Sequence, residues 1–209
     1  MKLFYFIPIL LTFLFCNQNN DFQESIAEVT HKAVPNSFQE KLSAAAISII
    51  DPNIIYTSNY VSMKYPNGDV PAKTGVCTDV VIRAYRKLGI DLQQEVHEDL
   101  KANFSQYPNL KKWGLKKPDT NIDHRRVPNL EVFFTRKGQK LAVTQKAADY
   151  KTGEIVTWMI NGKLPHIGII TNKKSPDGNP MIVHNIGGGQ VLEDCLFRYE
   201  IVGHFKYQK

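Results

Sequence analysis

The stretch Thr74–Gly89, TGVCTDVVIRAYRKLG, constrains the fold more than any other part of the chain. Val76, Val80, Val81, Ala84 and Leu88 recur at helical spacing and form one apolar stripe, which needs a covering surface. Gly89 supplies a C-terminal stop, and Thr74 or Gly75 stands where an N-cap belongs. Cys77 then falls in the first turn, at the positive end of the helix. Unpaired backbone N–H groups and the helix dipole favour a thiolate there, and the thiolate is the nucleophilic form. The plainer alternative is a cysteine that serves as a small core hydrophobe.

The surface that covers this stripe is expected in the C-terminal third. Glu154–Ile160, His166–Thr171, Met181–Ile186 and Ile201–Tyr207 are β-rich runs separated by Asn161-Gly162, Asp177-Gly178-Asn179-Pro180 and Gly187-Gly188-Gly189. They predict an antiparallel sheet of about four to six strands. Upstream, Ser37 and Glu40 form a capping-box pattern for a helix through Phe38, Leu42, Ala45, Ala46 and Ile49. Leu92, Val96, Leu100 and Phe104 predict another, and Pro128–Arg136 a short third. Asn109–Val127, basic and carrying Trp113, Gly114 and Pro118, reads as a long surface loop. Helices followed by a sheet imply an α+β domain in which the cysteine helix packs on the sheet.

At the N-terminus, Leu3–Phe15 is nearly all apolar, too short for a comfortable membrane span and suited to a signal-peptide core. Cys16 and a polar run follow, which resembles a bacterial lipoprotein signal with Cys16 as the lipidated residue. Phe15 stands where that pattern usually has a small residue, and plain export with cleavage is the alternative. The expected organisation is a signal at 1–16, a polar tether at 17–35 and one folded domain at 36–209. The expected location is the periplasm or cell envelope, with membrane contact only through the N-terminal segment, and the expected state is a monomer.

A hydrophobic share of 43% and a charged share of 22% are globular values. The net charge of +6 is scattered, and no nucleic-acid motif accompanies it, so nucleic-acid binding is not expected. With Cys16 in the signal, Cys77 and Cys195 remain, and in an exported protein a disulfide between them is the structural rival to a nucleophilic Cys77. No CxxC pair or metal-type Cys/His spacing is present, so neither a metal nor another cofactor is expected.

His166 opens the strand His-Ile-Gly-Ile-Ile and His184 closes Met-Ile-Val-His. Paired strands would bring both to one end of the sheet. A cysteine nucleophile needs a base within reach and a group that orients the base. Cys77, His166 and His184 fill those roles in order, with Asn185 as the alternative orienting group. This order resembles the NlpC-like cysteine peptidases of the papain-like superfamily, enzymes that cut peptide stems of bacterial cell walls. The blocks GVCTDVVIRAYR, VHEDL, DHRRVPNL, PHIGII, VHNIGGG and GHFKY, spread from Phe38 to Tyr207, are similar to an exported bacterial family of unknown function, number 1287. The resemblance implies a papain-like fold and a cysteine hydrolase or amidase acting on a peptidoglycan peptide or a related envelope substrate. It departs from the NlpC pattern at Val76 and Thr78, where Asp and Ser are usual, and in the DHRR block.

Asp79, Asn185 and the block Asp123, His124, Arg125 and Arg126 are candidates for binding substrate, the block for a substrate carboxylate, because arginine pairs with such groups through two parallel hydrogen bonds. The alternative is an ion pair that locks the long loop, with Asp79 or Asp99 as partner. Tyr60 and Tyr65 are candidates for an oxyanion donor or a substrate wall. A non-catalytic envelope-binding module that retains the fold, and an acyltransferase or amidase acting on a non-peptide amide, remain open at this point.

Overall fold

The structure, a computed structural model, describes residues 35–209. The expected signal segment, Cys16, and all but the last residue of the tether lie outside the described residues. Among the described residues no helix is long and apolar enough to cross a membrane.

Helix α1 (Phe38–Ser48) starts on the expected capping box: the Ser37 hydroxyl accepts from the Glu40 N–H, and the Glu40 carboxylate accepts from the Ser37 N–H. Two short strands, β1 (Ile55–Tyr56) and β2 (Thr74–Gly75), pair in parallel and lead directly into α2 (Cys77–Arg86). Thr74 and Gly75 therefore belong to a strand, and the N-cap is Val76. Having no polar side chain, Val76 cannot cap in the ordinary way. The Asp79 carboxylate closes the turn instead by accepting from the Val76 N–H at 2.7 Å. Helix α3 (Leu92–Ala102) is capped by Asp91, whose side chain accepts from the Gln93 N–H.

The basic segment after α3 is more ordered than a loop. It holds α4 (Asn109–Trp113), stopped by Gly114 at φ 65°, and a 3-10 turn at Asp123–Arg125. Helix α5 (Val127–Lys137) follows, with Pro128 in its first turn, where a missing N–H costs nothing.

The sheet is antiparallel and six-stranded: β3 (Gln139–Lys140), β4 (Ile155–Ile160), β5 (Leu164–Lys174), β6 (Pro180–His184), β7 (Val191–Glu193) and β8 (Glu200–Lys206), in the spatial order β3-β8-β4-β5-β6-β7. Alternation along the strands divides the core in two. Ile155, Ile167, Ile169, Val183 and Phe205 face α1, α2 and α5 and join Leu42, Val80, Val81, Ala84, Phe133 and Phe134. Val156, Trp158, Ile170 and Ile182 point to the other face and pack with Tyr150, Cys195 and Leu196. Val80, Val81 and Ala84 are fully buried, so the stripe read from the sequence is the face that α2 lays on the sheet. This is the expected α+β arrangement, with the helices preceding the sheet and packed on it.

Candidate active site

Two local features bring the cysteine helix to the histidine strand. The ladder between β5 and β6 begins at Ile169–Val183, so the start of β5, with His166 and Ile167, is unpaired on that side. The N-terminus of α2 meets the strand there. Backbone N–H groups of Ile167, Thr78 and Cys77 favour the thiolate form of the Cys77 sulfur. The second feature is Gly168. A Cβ at this position would lie 2.6 Å from Ile182 Cγ2 and 3.2 Å from His184 Cβ. Glycine is what lets His184 lie close against β5.

His166 Nε2 and His184 Nδ1 are 2.9 Å apart, with the rings edge to face at 77°. His184 Nε2 lies 3.4 Å from the Glu193 carboxylate. The Glu193 carboxylate, which can only accept, favours the tautomer with the proton on His184 Nε2. Glu193 accepts a hydrogen bond from His184 Nε2–H, so His184 Nδ1 carries a lone pair and accepts from His166 Nε2–H. His166 Nδ1 is then the basic nitrogen. Trp158, opposite His166 across the β4–β5 ladder, packs on the His166 ring at 5.5 Å between centroids. Glu193 and Trp158 were not legible as site residues, since neither sits in a motif and only strand register brings them to the histidines.

The charge state at rest differs from the expectation of a thiolate. Cys77 is 5% exposed, and burial pushes its thiol up to about 12 despite the backbone N–H groups, with Asp79 adding to the rise. Burial, reinforced by His184, pulls the His166 imidazole down to about 3. Desolvation therefore outweighs the helix terminus, and the resting pair is a neutral thiol and a neutral imidazole. Burial also lowers His184, and the Glu193 carboxylate opposes it.

Both Cys77 and Cys195 are free thiols. The disulfide rival is not formed, and the two cysteines belong to the separate cores on the two faces of the sheet. Cys195 Sγ instead lies 3.5 Å from His184 Nε2. His184, Glu193 and Cys195 present ligand-type atoms within 4.8 Å of one another, the one such group among the described residues. The Arg198 guanidinium already occupies the same Glu193 oxygen at 2.8 Å, placing a positive charge beside the position a cation would take. His184 and Glu193 thus fit a hydrogen-bonded pair better than a metal site.

The remaining candidates separate. Asp79 and Arg125 form a buried pair through two hydrogen bonds of 2.9 and 3.0 Å, and the Thr78 hydroxyl donates to the Arg125 carbonyl. This is the loop-locking ion pair, with Asp79 as the partner. Asp123 is fully buried and accepts from Asn109 Nδ2 and the Asp119 N–H. His124 is buried, which pulls its imidazole down to about 3. Tyr60 donates to Asp119 and accepts from Asn121, while Tyr65 packs on His97. Asn185 accepts from the Gly187 N–H and is not the group that holds His166. None of these reaches the cleft with a free polar group.

Arg125 and Arg126 of the DHRR block both line the cleft, but the Arg125 guanidinium is engaged by Asp79, and Arg126 is the one not tied to a carboxylate. The cavity at Cys77 has a volume of about 560 Å³, and its walls include Tyr56, Lys112, Trp113, Arg126 and Lys163. Tyr56, not Tyr60 or Tyr65, is the tyrosine beside Cys77. Burial pushes its hydroxyl up to about 12, with Cys77 and Asp79 adding to the rise. It is therefore a neutral hydrogen-bond donor at neutral pH.

A family model described as "Domain of unknown function (DUF1287)" matches residues 43–207. "Uncharacterized protein YijF" of Escherichia coli (strain K12) is 48% identical over 158 residues, 76% of each chain. Among solved structures, NlpC1 from Trichomonas vaginalis superposes with a TM-score of 0.45 at 13% identity, over 85% of this chain and 47% of that one, so this chain spans about half its length. An N-acetylmuramoyl-L-alanine amidase from Bacteroides uniformis ATCC 8492 gives 0.47 at 12% identity, over 82% of this chain and 99% of that one. Both structural likenesses are loose, and the site above stands on its own geometry. With the family model running from residue 43 to residue 207, through the cysteine helix, the DHRR block and both histidine strands, the chain belongs to the DUF1287 family.

Proposed function

We propose that this protein is a cysteine hydrolase that cleaves an amide bond in a cell-wall peptide or a related envelope substrate, with Cys77 as nucleophile and His166 as base. The observation that carries this reading is the 2.9 Å contact between His166 Nε2 and His184 Nδ1, which leaves His166 Nδ1 as the basic nitrogen on the strand that Cys77 meets. In this reading His166 Nδ1 takes the thiol proton as Sγ attacks the amide carbonyl carbon. The Cys77 N–H and the Tyr56 hydroxyl are the donors proposed for the oxyanion. The C–N bond then breaks as His166 passes its proton to the leaving amine. Water attacks the thioester, again giving a proton to His166. The carboxylic acid leaves and Cys77 regains its proton.

The thiol at rest makes no hydrogen bond to the imidazole, as is common before substrate binds. The neutral resting pair suits a site that forms its ion pair only when substrate fills the cleft. The envelope location follows from the reading of residues 1–16 as an export signal. The test is amine release from a panel of peptidoglycan stem peptides by the wild type, Cys77→Ala and His166→Ala. The expected result is turnover in the wild type, none in Cys77→Ala and a loss of about 10²–10⁴-fold in His166→Ala. Turnover that survives in Cys77→Ala, or no turnover of any stem peptide, overturns the reading.

A further inference from the structure

We propose that Arg126 anchors an anion subsite beside Cys77, and that its ligand is a peptide with a free carboxylate close to the amide to be cut. The chain has arginines at 83, 86, 125, 126, 136 and 198. Arg83 and Arg86 pair with Asp69, Arg125 with Asp79, Arg136 with Asp99 and Arg198 with Glu193. Arg126 is the one arginine that makes no direct ion pair with a carboxylate among the described residues, although Asp123 and Asp119 lie near enough to favour its charge.

Its guanidinium is nonetheless held in place, 4.2 Å from the centroid of the Trp113 ring. The side chain is partly buried, and its buried Nη1 has no hydrogen-bond partner. A desolvated cation with an unsatisfied donor is costly to maintain unless something completes it. Lys112 and Lys163 line the same cleft, and no Asp or Glu does. The wall around the nucleophile therefore offers a fixed planar fork and two flexible cations to an incoming anion. A carboxylate matches that fork with two parallel hydrogen bonds, whereas a carboxamide supplies a single acceptor and no charge.

The inference rests on the hydrolase reading for what is cleaved, but the anion subsite is tested without turnover. The full chain carrying Cys77→Ser is titrated with N-acetyl-alanyl-γ-glutamyl-lysinamide, which bears one carboxylate, and with its carboxamide counterpart. Trp113 fluorescence reports binding, because Trp113 is 38% exposed in the cleft wall whereas Trp158 is fully buried. The acid is expected to bind about tenfold more tightly than the amide, as a charge-assisted pair requires. That preference should vanish in Arg126→Gln and persist in part in Arg126→Lys. A second readout in the wild type is the ratio of Cys77 alkylation by iodoacetate to that by iodoacetamide, which should fall in Arg126→Gln. Equal binding of the two peptides, no binding of either at millimolar concentration, or a preference that survives Arg126→Gln overturns the subsite. A charge preference without turnover of any stem peptide keeps the subsite and sinks the hydrolase reading. Equal turnover of acid and amide does the reverse.

Discussion

Replacing Arg125 with Met should destabilise the domain far more than a charge change at the surface would. Arg125 and Asp79 are 7% and 2% exposed and share hydrogen bonds of 2.9 and 3.0 Å. Methionine keeps most of the volume but leaves the Asp79 carboxylate buried, with the Val76 N–H as its remaining strong donor. Breaking a buried pair by removing one partner costs about 3–5 kcal/mol. At roughly 2–4 °C per kcal/mol for a domain of this size, the melting temperature should fall by roughly 6–20 °C. The assay is urea unfolding followed by tryptophan fluorescence, with thermal melts beside it. The double variant Asp79→Asn/Arg125→Met removes the stranded charge and should recover much of the loss. A single-variant loss below about 1 kcal/mol, the range of an exposed pair, would refute the argument that this carboxylate is desolvated. So would a double variant no more stable than Arg125→Met.

Other outcomes follow from the same geometry. His184→Ala removes the acceptor for His166 Nε2–H, so kcat should fall by about 10–100-fold with little change in KM, and His184→Asn should restore part of it. Because burial holds His166 near 3, the acid limb of kcat/KM in the wild type should lie well below the value of about 6.5 for a free imidazole; a limb near 6.5 would show a solvated ring. Peptide mapping of protein purified without reductant should find no Cys77–Cys195 crosslink, and Cys195→Ser should leave turnover within about twofold. Burial by itself would raise the Asp99 carboxyl, but Arg136, Tyr107 and Lys137 hold it at about 2. Its folded value is thus below its unfolded one. The stability it contributes is complete above about pH 4 and is lost as pH falls through about 2, and Asp99→Asn should flatten acid unfolding in that window.

The cysteine helix and the two histidine strands were readable because each rests on local periodicity and a stop signal. The apolar stripe of Val80, Val81 and Ala84 and the β-rich runs around His166 and His184 state which faces are buried, and burial is what the fold has to satisfy. The two-residue strand β3 and the three-residue β7 carry too little pattern to read. Helix α4 and the 3-10 turn at Asp123–Arg125 carry no local signal beyond that of a loop, because the structure there comes from long-range partners such as Asp79. The same cause explains the tyrosines. Tyr60 and Tyr65 lie nearer the middle of the upstream loop, but β1 pairs with β2 and so carries Tyr56 to the cleft.

By itself the sequence determined the order of elements, the α+β class, the helix-terminal position of Cys77 and the strands that carry His166 and His184, since these follow from residue type and spacing along one chain. Only the tertiary structure decided the rest. It paired Arg125 with Asp79 and left Arg126 without a direct ion pair, set Glu193 behind His184, and kept Cys77 and Cys195 in separate cores. It also made the resting thiol and imidazole neutral. Charge state and pairing depend on desolvation and on neighbours distant in sequence, which no local pattern encodes.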